Sequence, residues 1–176
     1  CVVRIKESRN ASPQAQKILN ELGLKEIGNC AFLMSTEDNI KKILLISNYI
    51  GYGQPTKKIV DEIIRKRGYL KTADHKRTPI SDNILIEELL GSQGVICVED
   101  VIDAFWNCKK NQAAYEAVRQ VLWPIQLAPL KDSIAEGSIK IEATGRQFSK
   151  TKMQSKKGGY LGMMGTSIND YVARLI

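Results

Sequence analysis

Residues 1–55 alternate short apolar runs with helix signals, and this alternation restricts the fold more than any other feature of the chain. Val2-Val3-Arg4-Ile5-Lys6 alternates enough to be a strand. Ser12-Pro13 then supplies an N-cap followed by proline at the first helical position, and Gly23 supplies the stop. Ala15, Ile18, Leu19 and Leu22 form the apolar stripe of that helix. Residues 25–34 read as a second strand. Ser35 and Asp38 have the spacing of a capping box, one methylene short of the usual Glu, and open a second helix whose stripe is Ile40, Ile43 and Leu44, with Ser47 on the same side. Tyr49-Ile50-Gly51 is a short third strand. The order is β-α-β-α-β, and right-handed crossovers would place two helices on one sheet face.

Beyond this core the pattern becomes helical. A third helix runs from Thr56 to Gly68 with Ile59, Ile63 and Ile64 inward and its Lys and Arg residues outward. Tyr69-Leu70-Lys71 and Arg77-Thr78-Pro79-Ile80 form a hairpin across a polar loop that holds Asp74-His75. Ser81 or Asp82 caps a fourth helix, which ends at Gly91. Val95-Ile96-Cys97-Val98 is a short apolar strand or a buried turn, and Glu99-Asp100 places negative charge at the start of a fifth helix. A sixth helix follows over residues 111–122, and Pro124 ends it. The expected division is a core at 1–55, a helical and hairpin extension packed on it at 56–130, and an extended basic arm ending in a short helix at 131–176. The chain opens on Cys1 and enters a strand at once, so a preceding segment is expected.

Charge is segregated along this plan. Residues 1–78 hold 15 basic and 8 acidic side chains, residues 79–130 hold 3 and 7, and residues 131–176 hold 8 and 4. The balances, +7, −4 and +4, together give the net charge of +7. An evenly solvated surface does not need such blocks, whereas a polyanion-binding protein does. The first basic cluster contains Lys57, Lys58, Arg65, Lys66, Arg67, Lys71, Lys76 and Arg77. Cations at a helix C-terminus are favoured by the helix dipole, which would account for Arg65-Lys66-Arg67 alone. The cluster continues past the reach of that effect, which points to phosphate contacts, with Tyr69 stacking on a base or sugar. The second cluster, Arg146, Lys150, Lys152, Lys156 and Lys157, has no acid between its members and few apolar residues. Such a stretch buries too little surface to order itself and suits an arm that folds on phosphate. Arg9 completes the candidate RNA contacts.

An enzymatic reading finds little support. His75 is the single histidine, exposed in a polar loop between Asp74 and Lys76. A catalytic base needs a fixed partner and a pocket. Glu87-Glu88 and Glu99-Asp100 are adjacent, and neighbours on a helix point apart. Gly51-Tyr52-Gly53 and Gly158-Gly159-Tyr160-Leu161-Gly162 are not followed by Lys-Ser/Thr, so they read as turn glycines rather than phosphate loops. Cys1, Cys30, Cys97 and Cys108 lack metal-ligand spacing, and Cys30 and Cys97 read as buried free thiols. No apolar run approaches the roughly 18 residues of a membrane-spanning helix. No cofactor, small-molecule substrate or membrane is expected.

Several motifs together resemble a known family. Val2-Val3-Arg4-Ile5, Ser12-Pro13, Leu22-Gly23-Leu24-Lys25 and Ile50-Gly51-Tyr52-Gly53-Gln54-Pro55 resemble the core of the large-subunit ribosomal proteins called L-seven in eukaryotes and L-thirty in bacteria. Arg65-Lys66-Arg67-Gly68-Tyr69, Ser81-Asp82-Asn83, Ile86-Glu87-Glu88, Leu90-Gly91, the run from Gly94 to Ile102, and Leu122-Trp123-Pro124 follow in the family's order and spacing, as does the last helix from Ile168 to Ile176. The resemblance implies a ferredoxin-like α+β core, no catalysis, and binding to large-subunit rRNA.

The family has two eukaryotic branches, the mature ribosomal protein and a nucleolar paralogue that acts on the large-subunit precursor. Tyr69 and Trp123 resemble the mature branch. Arg146-Gln147-Phe148-Ser149, Gly159-Tyr160-Leu161 and Met164-Gly165-Thr166 resemble the paralogue, and the Gly-Asn-Arg-Glu segment of the mature branch is absent before the final helix. A net charge of +7 is modest for a mature ribosomal protein. The resemblance therefore leans towards the assembly branch: a nucleolar factor in rRNA processing and assembly on the large-subunit precursor, with neighbouring ribosomal proteins or assembly factors as partners. The alternative is a structural constituent of the cytosolic ribosome. A second expectation concerns the acidic middle, which could dock protein neighbours through an exposed Trp106 or Trp123, against the simpler placement of both rings in the core.

Overall fold

A computed structural model describes residues 1–9, 11–72, 76–128, 139–140, 147–148, 154–155 and 159–176. In chain order the elements are β1 (Val2–Arg4), α1 (Pro13–Glu21), β2 (Asn29–Ala31), α2 (Glu37–Leu45), β3 (Ile50–Gly53), α3 (Lys57–Arg67), β4 (Tyr69–Lys71), β5 (Arg77–Pro79), α4 (Asn83–Leu90) and α5 (Val98–Trp106). They continue with α6 (Gln112–Val121), β6 (Ile125–Gln126), β7 (Ile139–Lys140), β8 (Gln147–Phe148), β9 (Gly162–Gly165) and α7 (Ile168–Ala173). The chain forms two compact units, Cys1–Gln54 with Leu127–Leu175, and Pro55–Gln126 with Ile176.

In the first unit β1 is central. It runs antiparallel to β2, pairing Val2 with Ala31, and antiparallel to β3, pairing Val2 with Tyr52 and Arg4 with Ile50. The α+β, ferredoxin-like expectation holds, but with one crossover rather than two. β2 and β3 are the parallel pair, α2 is the connection between them, and β1 lies in the gap. α1 instead joins antiparallel neighbours. Side-chain alternation puts Val2, Ala31 and Tyr52 on one sheet face. There Val2 and Ile50 join Ala15, Ile18, Leu19 and Leu22 of the first helical segment and Ile46 at the end of α2 in one apolar cluster.

Local chemistry explains the helices. Ser12 Oγ accepts from Ala15 N at 3.2 Å, and Pro13 occupies the first turn. α2 starts one residue later than expected, because Thr36 rather than Ser35 accepts from Asn39 N, at 3.4 Å. Its expected stripe is also displaced. Ile43 and Ile46 turn to the cluster, while Ile40, Leu44 and Leu45 stay 47%, 57% and 55% exposed. The second strand is three residues, not ten, and a turn through Gly28 at φ 86° precedes it.

No local residue pattern announces β9, a strand that runs parallel to β3 and pairs Gly51 with Gly162. Gly51 allows this approach, since a Cβ there would sit 2.5 Å from the carbonyl oxygen of Tyr160 and 2.9 Å from Met164 Sδ.

In the second unit α3 buries Ile59, Val60, Ile63 and Ile64. The expected hairpin forms as β4 and β5, which pair Tyr69 with Pro79, Leu70 with Thr78 and Lys71 with Arg77. Asp82 Oδ1 caps α4 by accepting from Ile84 N at 3.0 Å. Residues 95–97 form a turn, and Val98 already opens α5. Asp100 Oδ2 accepts from the main-chain N–H of Ile96 at 3.0 Å and of Cys97 at 3.2 Å, which ties that turn to the helix start. Phe105 and Tyr115 meet edge to face at 5.9 Å where α5 packs on α6. Trp106 is 42% exposed, so it is not a core ring. Cys30 is buried as expected, with its thiol pushed up to about 12 by desolvation, whereas Cys97 is only half-buried.

Candidate nucleic-acid interface

The cations of α3 do not form one free patch. Lys57 and Arg65 lie two turns apart and share a helix face, as do Glu99 and Asp103 one turn apart on α5. The helices run antiparallel with these faces together, so that Lys57 Nζ reaches Asp103 at 2.7 Å and Arg65 Nη2 reaches Glu99 at 2.6 Å. Arg65 Nε also donates to Asp61 at 2.8 Å, and Lys66 stands 3.5 Å from Glu62. Arg67 Nη2 donates to the main-chain oxygen of Ile176 at 2.8 Å. The Glu99 and Asp61 carboxylates raise the Arg65 guanidinium above its usual range, and Arg65 holds Glu99 below the usual carboxylate range. These side chains remain about half exposed, so each pair is weak and a phosphate could displace the carboxylate. The acidic middle of the chain thus neutralises part of the basic run, a relationship invisible to counting charges along the sequence.

The hairpin presents a different surface. Alternation puts Tyr69 and Lys71 on one side of β4 and buries Leu70 on the other, 1% exposed. Arg77 stands opposite Lys71, and its Cζ lies 3.8 Å from the centroid of the Tyr69 ring. The chain leaving α6 runs beside β4, because Leu122 bridges Leu70 and Trp123 N donates to Tyr69 O at 2.8 Å. This brings the Trp123 ring under Lys71, whose Nζ is 5.9 Å from the ring centroid. Two cations and two half-buried aromatic rings therefore form one group. Sequence reasoning placed Tyr69, Lys71 and Arg77 here but read Trp123 only as a core or protein-docking ring. Its signal was the extended Leu122-Trp123-Pro124 stretch, which cannot continue the helix.

The remaining candidates are scattered. Lys58 and Lys76 are exposed, and the main-chain oxygen of Lys76 accepts from Thr72 N at 3.2 Å across the hairpin. Arg9 belongs to the first unit and pairs with Glu7 at 3.0 Å. It borders a cavity of about 350 Å³ whose lining includes Arg4, Ser8, Gln16 and Lys25. Arg4 is 6% exposed and donates to the carbonyls of Lys6 and Leu24 and to Ser8 Oγ, so its charge is spent on holding loops together. Burial lowers its guanidinium below the usual range, against the opposing effect of Glu7 and Glu26. Arg146, Lys150, Lys152, Lys156, Lys157 and His75 lie outside the described residues. Among the described residues no three His, Cys, Asp or Glu side chains gather as a metal site, and no helix is long and apolar enough to cross a membrane.

Comparison with known proteins decides the family. Residues 1–50 match the model of ribosomal protein L30p/L7e. Over 175 residues, 99% of this chain and 64% of the relative, it is 33% identical to large ribosomal subunit protein uL30A of Schizosaccharomyces pombe. The chain belongs to the L30p/L7e family. The resemblance read from its motifs is therefore borne out. Large ribosomal subunit protein uL30 of Dictyostelium discoideum is 36% identical over 126 residues, 72% of this chain and 50% of that protein. The protein of the same name from Yarrowia lipolytica is 35% identical over 127 residues, 72% of this chain and 49% of that protein. The chain thus spans about half to two-thirds of the length of these L30p/L7e relatives. The family model ends at residue 50, before the basic hairpin, whereas the S. pombe alignment spans 99% of the chain.

Proposed function

We propose that the chain is a non-catalytic RNA-binding protein that contacts large-subunit rRNA as a constituent of the large ribosomal subunit. The observation that carries this reading is the hairpin face, where Lys71 and Arg77 flank the rings of Tyr69 and Trp123. Cations supply the phosphate contacts that dominate affinity, and aromatic rings supply stacking. The names of its relatives support the same subunit. Arg65, Lys66, Arg67, Lys57 and Lys58 contribute as a weaker second surface, since most of them already have protein partners. Arg9 and the 146–157 cations are further proposed contacts.

The test is the salt dependence of rRNA binding. Neutralising Lys71, Lys76 and Arg77 together reduces the log–log slope by about two, at roughly 0.7–0.9 per phosphate contact. An unchanged slope removes these residues from the interface. Lys57→Ala with Arg65→Ala gives a smaller change, because these side chains enter binding already neutralised.

A second reading is favoured by the motifs at Arg146-Gln147-Phe148-Ser149 and Gly159-Tyr160-Leu161. On it the chain acts in rRNA processing and assembly on the nucleolar precursor, with assembly factors as neighbours. Sedimentation of the tagged protein separates the two. Presence in translating polysomes of the cytosol marks the mature constituent, and restriction to nucleolar precursor particles marks the assembly factor.

A further inference from the structure

The hairpin face divides its labour unevenly. Arg77 lies close over Tyr69, at 3.8 Å, which is stacking distance. That pair is preorganised, since a guanidinium is planar, weakly hydrated and keeps its charge. Lys71 sits 5.9 Å from Trp123, at the outer limit of useful attraction. An ammonium is a strongly hydrated point charge on a flexible stem, so it leaves this ring at little cost. The indole is the larger platform and the one with the looser cover. Its backbone is fixed by the hydrogen bond from Trp123 N to Tyr69 O at 2.8 Å and by the Leu70–Leu122 bridge, so the ring is presented from a rigid edge.

We propose that this face takes an unpaired nucleotide. The base stacks on Trp123 in the place Lys71 now covers, Lys71 swings out to the adjacent phosphate, and Arg77, held flat by Tyr69, presents its donors to the same nucleotide. This rests on the rRNA-binding reading above and adds what that reading leaves open, namely that the element recognised is single-stranded or extruded rather than duplex. A duplex keeps its bases stacked on one another and offers this face only phosphates, whereas a splayed base offers a ring. Base–aromatic stacking is sequence-tolerant, so the site selects unpaired structure rather than a particular base.

The experiment uses the 176-residue chain carrying Trp106→Phe, which leaves Trp123 as the only indole. A short single-stranded RNA of mixed sequence quenches its fluorescence on titration, and a blunt duplex of the same length binds without quenching. In the otherwise native chain, Trp123→Leu weakens binding of large-subunit rRNA by roughly 5–150-fold while the salt slope stays the same, because stacking is lost and no phosphate contact is. Trp123→Phe retains most of the affinity. Lys71→Ala lowers the salt slope by about one contact. Equal quenching by duplex, or Trp123→Leu binding as tightly as the native chain, overturns the proposal while leaving rRNA binding intact. Absence of salt-dependent rRNA binding by the native chain overturns the underlying reading instead. Should Trp123→Leu unfold, the quenching contrast in the Trp106→Phe chain decides alone.

Discussion

Arg65 Nη2 lies 2.6 Å from Glu99 Oε1, so the last turn of α3 is fastened to the first turn of α5. Both ends of this contact favour the charges they carry. Cations suit the C-terminal turn of α3, and carboxylates suit the N-terminal turn of α5. The pair is nonetheless exposed, at 47% and 63%, and competes with water and salt. A basic helix that looks like a phosphate-binding surface in the sequence is in the fold a partly neutralised helix, which is why the hairpin is the contact proposed first.

Removing the Glu99 charge separates these effects. Glu99→Gln leaves the thermal midpoint almost unchanged, because an exposed pair contributes little. It raises affinity for large-subunit rRNA a few-fold at low salt and steepens the salt slope by at most one contact, about 0.7–0.9. Filter binding across a salt series measures both. Affinity equal to that of the native chain at every salt concentration shows that α3 does not face RNA.

On the proposed function Tyr69 acts on RNA through Arg77, whose Cζ lies 3.8 Å from its ring centroid. Tyr69→Phe keeps a ring beneath the guanidinium and keeps rRNA affinity within a few-fold. Tyr69→Leu releases Arg77 into solvent and lowers affinity several-fold, with the number of phosphate contacts and hence the salt slope little changed. Comparable affinity in both variants contradicts the role of the ring as a support.

Asp100 gives a pH signature. Its carboxylate accepts from Ile96 N and Cys97 N, and the Ile96 bond is the main reason it is held below the usual carboxylate range. A lowered folded value means that the contribution is present above the unfolded value of about 3.9 and disappears as pH falls through the folded value. Asp100→Ala costs about 0.5–2 kcal/mol near neutrality, the usual cost of a lost cap. Native and variant unfolding midpoints converge below about pH 4. A gap that persists at low pH shows that packing, not the charged cap, is what the substitution removed.

What could be read in advance was local. Ser12 with Pro13, Asp82, Gly68 and the Tyr69–Pro79 hairpin each declare themselves within a few residues, because caps and turns are short-range chemistry. What could not be read depends on partners far away in the chain. Gly162-Met163-Met164-Gly165 has no strand pattern of its own and becomes a strand by docking on the equally glycine-rich β3. The inward face of α2 is chosen by the cluster that receives it, so Ile46 is buried while Leu44 is 57% exposed. The same limit hid the site. The charge of Arg65 is visible in sequence, but its commitment to Glu99 is not, and Trp123 joins Tyr69 only through a contact spanning more than fifty residues.

The C-terminal packing offers an alkaline counterpart to Asp100. Tyr171 is 6% exposed, and its ring lies 4.5 Å from that of Tyr160. Burial, with a smaller effect from Tyr160, pushes its phenol up to about 12. In the unfolded chain the same group ionises near 10. Between these values the unfolded chain has released a proton that the folded chain keeps, so stability falls as pH rises. The contribution is therefore complete below about pH 10 and is lost as pH climbs through the folded value, by about 3 kcal/mol at 1.36 kcal/mol per pKa unit. Tyr171→Phe removes the titration while keeping most of the packing. Thermal midpoints measured from pH 9 to 12 therefore fall less steeply in the variant than in the native chain, and the late-ionising part of the native phenolate absorbance shrinks in Tyr171→Phe. Parallel curves for the two proteins place the alkaline transition elsewhere and exclude the Tyr160–Tyr171 contact as its source.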